Sequence, residues 1–365
     1  MSDPVVLIDE LSSSHGKYVA VVTLNSQGTL NALSQAMVDI LLPQFKVWQQ
    51  DEALACIVLR GAGDKAFCAG GDILNLYKSI TEGNGEADRF FEEEYRLDYL
   101  IHTFNKPVIA WGNGIVMGGG LGLMAGSSHR VVTERTRLAM PEVGIGLYPD
   151  VGGSYFLNKA PGRTGLFVGL TGVSLNAADS IFIGVADSFA NHDQWSDLLA
   201  QLSEADWFSA DAKDIVSDIL AILAASAIDK PTSSVSEHFD IIQTLTSADN
   251  AKQMVADILA YQGEDVWLQK AVKSLRKACP SSVFVFYEQL HRSKGESLKE
   301  VFKQELVLSL NFMRIGNFRE GVRALLIDKD LNPQFNPASF AEVDQEHIEK
   351  HFLPPWGGAN PLNNL

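Results

Sequence analysis

The sequence predicts an α/β protein whose strand-bearing first half gives way to a mainly helical second half. Three observations carry this. Short β-branched or apolar runs bounded by Gly and Asn clusters alternate with stretches of helical spacing up to about Thr171, the pattern of an α/β layer architecture. From Leu175 to Leu310 the apolar residues recur at helical spacing, with acidic and Ser-rich connections such as Ser233-Ser234-Val235-Ser236-Glu237. Hydrophobic residues make up 46% and charged residues 20% of the 365, which fits a globular chain rather than a disordered or fibrous one. The expected division is a strand-rich core over 1–205, a helical region over 206–352 and an extended tail over 353–365.

Taken in order, Tyr18 to Leu24 and Cys56 to Leu59 read as strands, because Asn25-Ser26-Gln27-Gly28 and Gly61-Ala62-Gly63-Asp64 punctuate them. Between them Ser34 to Gln50 has helical spacing, with Ser34 as cap and Met37, Ile40, Leu41 and Phe45 on one face. Val108 to Trp111 and Arg130 to Val132 are further strands. Helices are expected after Gly70-Gly71-Asp72 and within Gly118-Gly119-Gly120. The end, Leu353-Pro354-Pro355-Trp356-Gly357-Gly358, reads as extended.

The net charge of −16 opposes a nucleic-acid partner and an anionic membrane surface. Cys56, Cys68 and Cys279 show no metal spacing and cannot all pair, which points to a reducing compartment. The eight histidines show no metal-ligand spacing either, so no metal is expected. The segment from Met1 to Glu10 carries acids and no base, unlike a targeting signal, and no apolar run is long enough to span a bilayer. A cytoplasmic location is the resulting expectation.

The chemistry concentrates between Lys106 and Gly153. Gly118-Gly119-Gly120-Leu121-Gly122 is too glycine-dense for a helix interior, where each Gly costs roughly 1 kcal/mol against Ala, so a ligand or another backbone is expected to approach closely. Tight strand-to-helix packing without a ligand is the alternative. Gly120-x-Gly122-x-x-Ala125 also matches the dinucleotide pattern, weakly, since Asn113 to Met117 separate it from its strand. A second glycine turn lies in Cys68-Ala69-Gly70-Gly71-Asp72 and could present another N–H to the same oxygen.

Glu142, within Met140-Pro141-Glu142-Val143, has apolar neighbours that would desolvate its carboxylate, and Asp150 follows eight positions later. Singly each acid also reads as a helix-start or turn residue. With the two glycine turns they make a site for carbonyl chemistry: donors for an oxyanion and carboxylates for a proton or a water. Glu92-Glu93-Glu94 is by composition a solvated helix face.

These motifs, in this order, resemble the crotonase (enoyl-CoA hydratase/isomerase) superfamily, and more closely its 3-hydroxyisobutyryl-CoA hydrolase branch, from Val5 to about Phe352. The resemblance rests on Leu30-Asn31-Ala32-Leu33, Ala66 to Ile73, Phe90 to Tyr95, Asn113 to Gly120, Ala139 to Glu142, Gly146 to Gly153 and a late segment from Phe318 to Asp330. It implies a crotonase-like spiral of ββα units followed by helices, and an acyl-CoA substrate whose coenzyme A is part of the substrate, with no separate cofactor. It further implies an oxyanion hole at Ala69 and Gly119, with Gly70, Asp72 and Gly118 around it. Glu142 and Asp150 match the branch's catalytic carboxylates, and Glu94 its additional substrate-contacting acid.

At Gly122 the superfamily's hydratases carry a second catalytic Glu, so a thioester hydrolase is the expected activity, with a hydratase or isomerase as the alternative and a non-catalytic acyl-CoA binder behind both. Isomerases of the superfamily use an acid pair spaced like Glu142 and Asp150. A basic residue often precedes Leu-Asn-Ala-Leu and contacts CoA; here Gly28 stands in that turn, leaving Lys65, Lys78 or Lys329. The superfamily often forms trimers or their dimers, although the hydrolase branch need not, so a homo-oligomer stays open.

Overall fold

The β-branched run Tyr18–Leu24 (β2) pairs antiparallel with Val6–Ser12 (β1), a strand the sequence reading did not identify, and parallel with Leu54–Gly61 (β3). The computed structural model describes residues 3–13 and 16–365. Met1, Ser2, Ser14 and His15 lie outside it, and with them the start of the acidic N-terminal segment.

Chain order explains how the glycine turns meet. After β3 come Ala66–Cys68 (β4) and the helix Ile73–Glu82 (α1); after Val108–Gly112 (β5) come Ile115–Met117 (β6) and the helix Gly119–Gly126 (α2); His129–Val132 (β7) and Arg137–Ala139 (β8) follow. These are successive ββα or ββ units. In each, the first strand joins one sheet, ordered β1-β2-β3-β5-β7 and ending at Ser188–Phe189 (β9), while the second joins another, ordered β4-β6-β8. The turns that leave β4 and β6 therefore leave neighbouring strands of the smaller sheet.

The chain forms two compact units that interleave in sequence. The first comprises Met1–Gly71, Leu97–Leu138 and Leu175–Ser233; the second comprises Asp72–Arg96, Ala139–Ser174 and Ser234–Leu365. The first holds both sheets, and Val58, Ile109, Trp111 and Val131 form its core with Leu198, Leu202, Val216 and Leu220 from helices Trp195–Glu204 and Ala212–Ser226. Burial of such side chains contributes roughly 1.5 to 3 kcal/mol each.

The second unit is helical. Its segment 139–174 is drawn in by glycines that permit close packing: a Cβ on Gly165 would lie 2.0 Å from Leu157 O, and one on Gly169 2.1 Å from the Phe286 ring. Boundaries expected at 205 and 352 do not coincide with these units, because packing of 72–96 and 139–174 follows the C-terminal helices rather than chain order.

The tail also differs from its expected extended form. Asn360 caps a short helix Pro361–Asn364, Leu362 is buried, Arg96 donates to Pro361 O at 2.6 Å and to Asn364 Oδ1 at 2.8 Å, and Lys299 reaches Leu365 O at 2.7 Å. Pro at the first helical position and one apolar anchor are enough to end the chain in a docked turn.

Candidate active site

Both candidate catalytic acids and Glu94 lie in the second unit. Pro141 opens a single 3-10 turn, Glu142–Ile145, which seats on the helix Asn317–Val322. The approach is close: a Cβ on Gly146 would lie 2.3 Å from Asn317 O, and one on Gly321 2.2 Å from Ile145 O. Part of the late segment singled out in the sequence, Phe318 to Asp330, thus supports the turn that carries Glu142.

Glu142 is 5% exposed and its Oε2 has no hydrogen-bond partner among the described residues. Desolvation, then the nearby Asp150 charge, pushes its carboxyl well above the ordinary Glu value. Such a group takes up a proton readily. Asp150 is buried too, and burial raises its pKa while a hydrogen bond from Tyr95 opposes the rise.

Tyr95 Oη donates to Asp150 Oδ2 at 2.5 Å and lies 2.6 Å from Ser309 Oγ, which in turn lies 3.1 Å from Tyr148 Oη. Tyr148 donates to the main-chain oxygen of Glu305 at 2.8 Å. Beyond Asp150 the chain takes two consecutive left-handed residues, Val151 (φ 51) and Gly152 (φ 82), before the helix Gly153–Leu157. A β-branched residue in that region marks stored strain, the kind that persists where the surroundings hold a functional geometry.

The glycine turns lie in the first unit. A Cβ on Gly70 would be 3.5 Å from Met117 O and 3.8 Å from Gly118 Cα, so the two turns abut. A Cβ on Gly120 would be 2.3 Å from Cys68 O, which is why no side chain is tolerated there. Gly119 opens α2, where its N–H has no carbonyl one turn back to bond. Ala69 N–H instead donates to Leu30 O at 3.1 Å, so that N–H is already engaged by the main chain. Asp72 caps α1, accepting from Asn75 N at 3.2 Å and from Asn75 Nδ2 at 2.6 Å. That is a helix-start duty.

The structure thus brings Gly70 and Gly118 together in one unit, and Glu142 and Asp150 in the other. The three-Glu run splits: Glu92 pairs with Arg96 at 2.9 Å and Glu93 with Arg89 at 3.2 Å, while Glu94 turns inward to 2% exposure. Sequence reasoning missed Tyr95, Ser309 and Glu305. Their signal was present, since Glu305 and Ser309 are polar residues one turn apart on an otherwise apolar stripe with Val301, Phe302, Leu308 and Phe312. A cavity of about 270 Å³ in the first unit, lined by Arg60, Trp111, His192 and Trp195 among others, includes none of the candidate residues. Among the described residues no cluster of three or more His, Cys, Asp or Glu could hold a metal ion, the three cysteines are buried and form no disulfide, and no helix is long and apolar enough to cross a membrane.

Residues 19–352 match the family Enoyl-CoA hydratase/isomerase. The chain belongs to this family. Enoyl-CoA hydratase/isomerase relatives include the mitochondrial 3-hydroxyisobutyryl-CoA hydrolase of Danio rerio, 39% identical over 91% of this chain and 86% of the relative, and that of Homo sapiens, 39% identical over 91% and 85%. An enoyl-CoA hydratase from Rhodobacter sphaeroides 2.4.1 has a similar solved structure, with TM-score 0.84 and 30% identity over 96% of this chain and 98% of the other. A carnitinyl-CoA dehydratase from Mycobacterium thermoresistibile gives TM-score 0.85 and 33% identity over 97% of each chain. The expected α/β crotonase-like fold is borne out by these neighbours. A cytoplasmic location gains no support from relatives that are named as mitochondrial.

Proposed function

We propose that this chain hydrolyses an acyl-CoA thioester, most specifically 3-hydroxyisobutyryl-CoA to 3-hydroxyisobutyrate and CoA, a step of valine breakdown. The observation that carries the reading is similarity over 91% of the chain to hydrolases of that name. The site chemistry suits it. N–H groups of the glycine turns, Gly119 and those following Ala69, would stabilise the tetrahedral oxyanion; one such donor is typically worth about 2.7 to 4 kcal/mol of barrier.

Glu142 acts as base toward water or attacks the thioester carbon itself, and Asp150 orients the substrate hydroxyl or helps protonate the departing thiolate. Oxygen-18 from labelled water found in the Glu142 carboxyl after a single turnover would mark direct attack by Glu142 and contradict the water route.

A second reading, addition of water to or its removal from an acyl-CoA, draws on the names of the two structural relatives. Gly122 weighs against it, because a carboxylate pair around one water needs a side chain that Gly122 lacks. The test is thiol release from 3-hydroxyisobutyryl-CoA by Glu142→Gln and Asp150→Asn. Loss of roughly 10²- to 10⁴-fold in kcat is expected for Glu142→Gln, the usual worth of a positioned acid or base. Unchanged turnover in Glu142→Gln would overturn the assignment.

A further inference from the structure

Asp150 is held from two sides by one turn of a single helix. Leu298–Ile315 places Glu305 and Ser309 four residues apart, hence on one face, and both are fully buried. Glu305 reaches the main chain just after Asp150: Gly152 N donates to its Oε2 at 2.7 Å and Ser154 Oγ to its Oε1 at 3.1 Å. Gly152 is the N-cap of the helix Gly153–Leu157 and has no side chain with which to cap it, so Glu305 supplies the acceptor from another helix. Ser309 reaches the other end of the residue, since its hydroxyl meets Tyr95 Oη, which donates to the Asp150 carboxylate. Tyr148 closes the loop, bonded both to Ser309 Oγ and to Glu305 O.

We propose that Glu305 and Ser309 are positioning residues for Asp150, fixing its main chain and its carboxylate together so that the carboxylate meets the substrate in one orientation. Neither residue touches the reacting atoms in this account; each acts through another group. A fully buried carboxyl is costly to desolvate whether or not it holds its proton, more than capping a five-residue helix alone would justify. The strain at Val151 explains what the carboxyl is for: a β-branched residue at φ 51 holds only if the surroundings fix it, and Glu305 anchors the next N–H, that of Gly152. The titratable groups acting within this cluster are Asp150, Glu142, Tyr148, Tyr95 and Glu94, and burial pushes Glu305 itself up to about 8.

The inference rests on the role given to Asp150 above, and the experiment separates the two. Full-length Glu305→Gln, Ser309→Ala and Asp150→Asn are compared with the parent chain for kcat and KM of thiol release from 3-hydroxyisobutyryl-CoA, for the pH profile of kcat, and for the folded fraction under assay conditions. Glu305→Gln and Ser309→Ala are expected to lose about 10- to 100-fold in kcat, as misplacement of a reacting group does, with KM within about twofold of the parent.

Because the Tyr95 bond favours the ionised form of Asp150, loosening it in Ser309→Ala is expected to move the limb that titrates Asp150 to higher pH. Unchanged kcat and unchanged limbs in both variants, beside an inactive Asp150→Asn, would overturn the positioning role. So would a loss that is uniform across pH and matches a loss of folded protein. Full turnover in Asp150→Asn would instead remove the role of Asp150 and this inference with it.

Discussion

Glu142 is buried and keeps one carboxylate oxygen without a partner among the described residues, an arrangement that destabilises the fold when charged. Stability and function should therefore separate at this residue. Glu142→Gln is expected to keep or raise resistance to urea at pH 8, by about 1 kcal/mol, while turnover collapses; a stability loss of several kcal/mol would show that the acid is structural. Its pKa gives a second expectation. If Glu142 works as the base, kcat falls with decreasing pH along a limb set well above the ordinary Glu value, because the group must lose its proton to act. A limb at the ordinary carboxylate value would contradict this. Glu142 and Asp150 were legible in the sequence through their apolar and turn contexts. The bond from Ala69 N–H to Leu30 O was not legible, since a glycine pattern does not show which main-chain donors are already taken.

At the scale of elements, the glycine turns are packing devices first. Gly120 lies where any side chain would strike the main chain of β4, so Gly120→Ala is expected to cost about 1 to 3 kcal/mol in denaturant unfolding and to lower kcat by displacing Gly119. An Ala variant of full stability would contradict the contact. The C-terminal turn makes a separate prediction: Leu362→Ala should cost about 2 to 5 kcal/mol, the usual range for a buried Leu, whereas an extended tail would lose nothing. Strands β2, β3, β5 and β7 were legible because β-branched runs ended at Gly and Asn clusters, and the helix Gln35–Gln50 because Ser34 caps it. The docking of 353–365 was not, because three prolines and two glycines in that segment signal only where a helix cannot continue. Which partner groups wait to receive Pro361 O and Leu365 O is a tertiary fact.

For the molecule as a whole, three buried acids make stability fall as pH rises. Glu142, Asp150 and Glu305 all hold their protons more tightly folded than unfolded. The stability they contribute is fully present below the unfolded carboxylate range and is lost as pH climbs through the raised values, for Glu305 between 4.5 and about 8. Thermal melts across that window should show the decline, and Glu305→Gln should flatten it; a parent curve that rises through the window would contradict the burial argument. The interleaving of the two units was hidden from the sequence for a related reason. Composition changes near Thr171, but membership of a unit is decided by which glycines let which helices approach, as at Gly165 and Gly169. The central claim is hydrolysis rather than hydration, and it is tested most directly by offering the chain 3-hydroxyisobutyryl-CoA and crotonyl-CoA in parallel while following free thiol and enoyl ultraviolet absorbance. Rapid thiol release from the first with an unchanged enoyl band in the second is the expected result. Loss of the enoyl band without thiol release from either substrate would contradict the account and return the site to the hydratases.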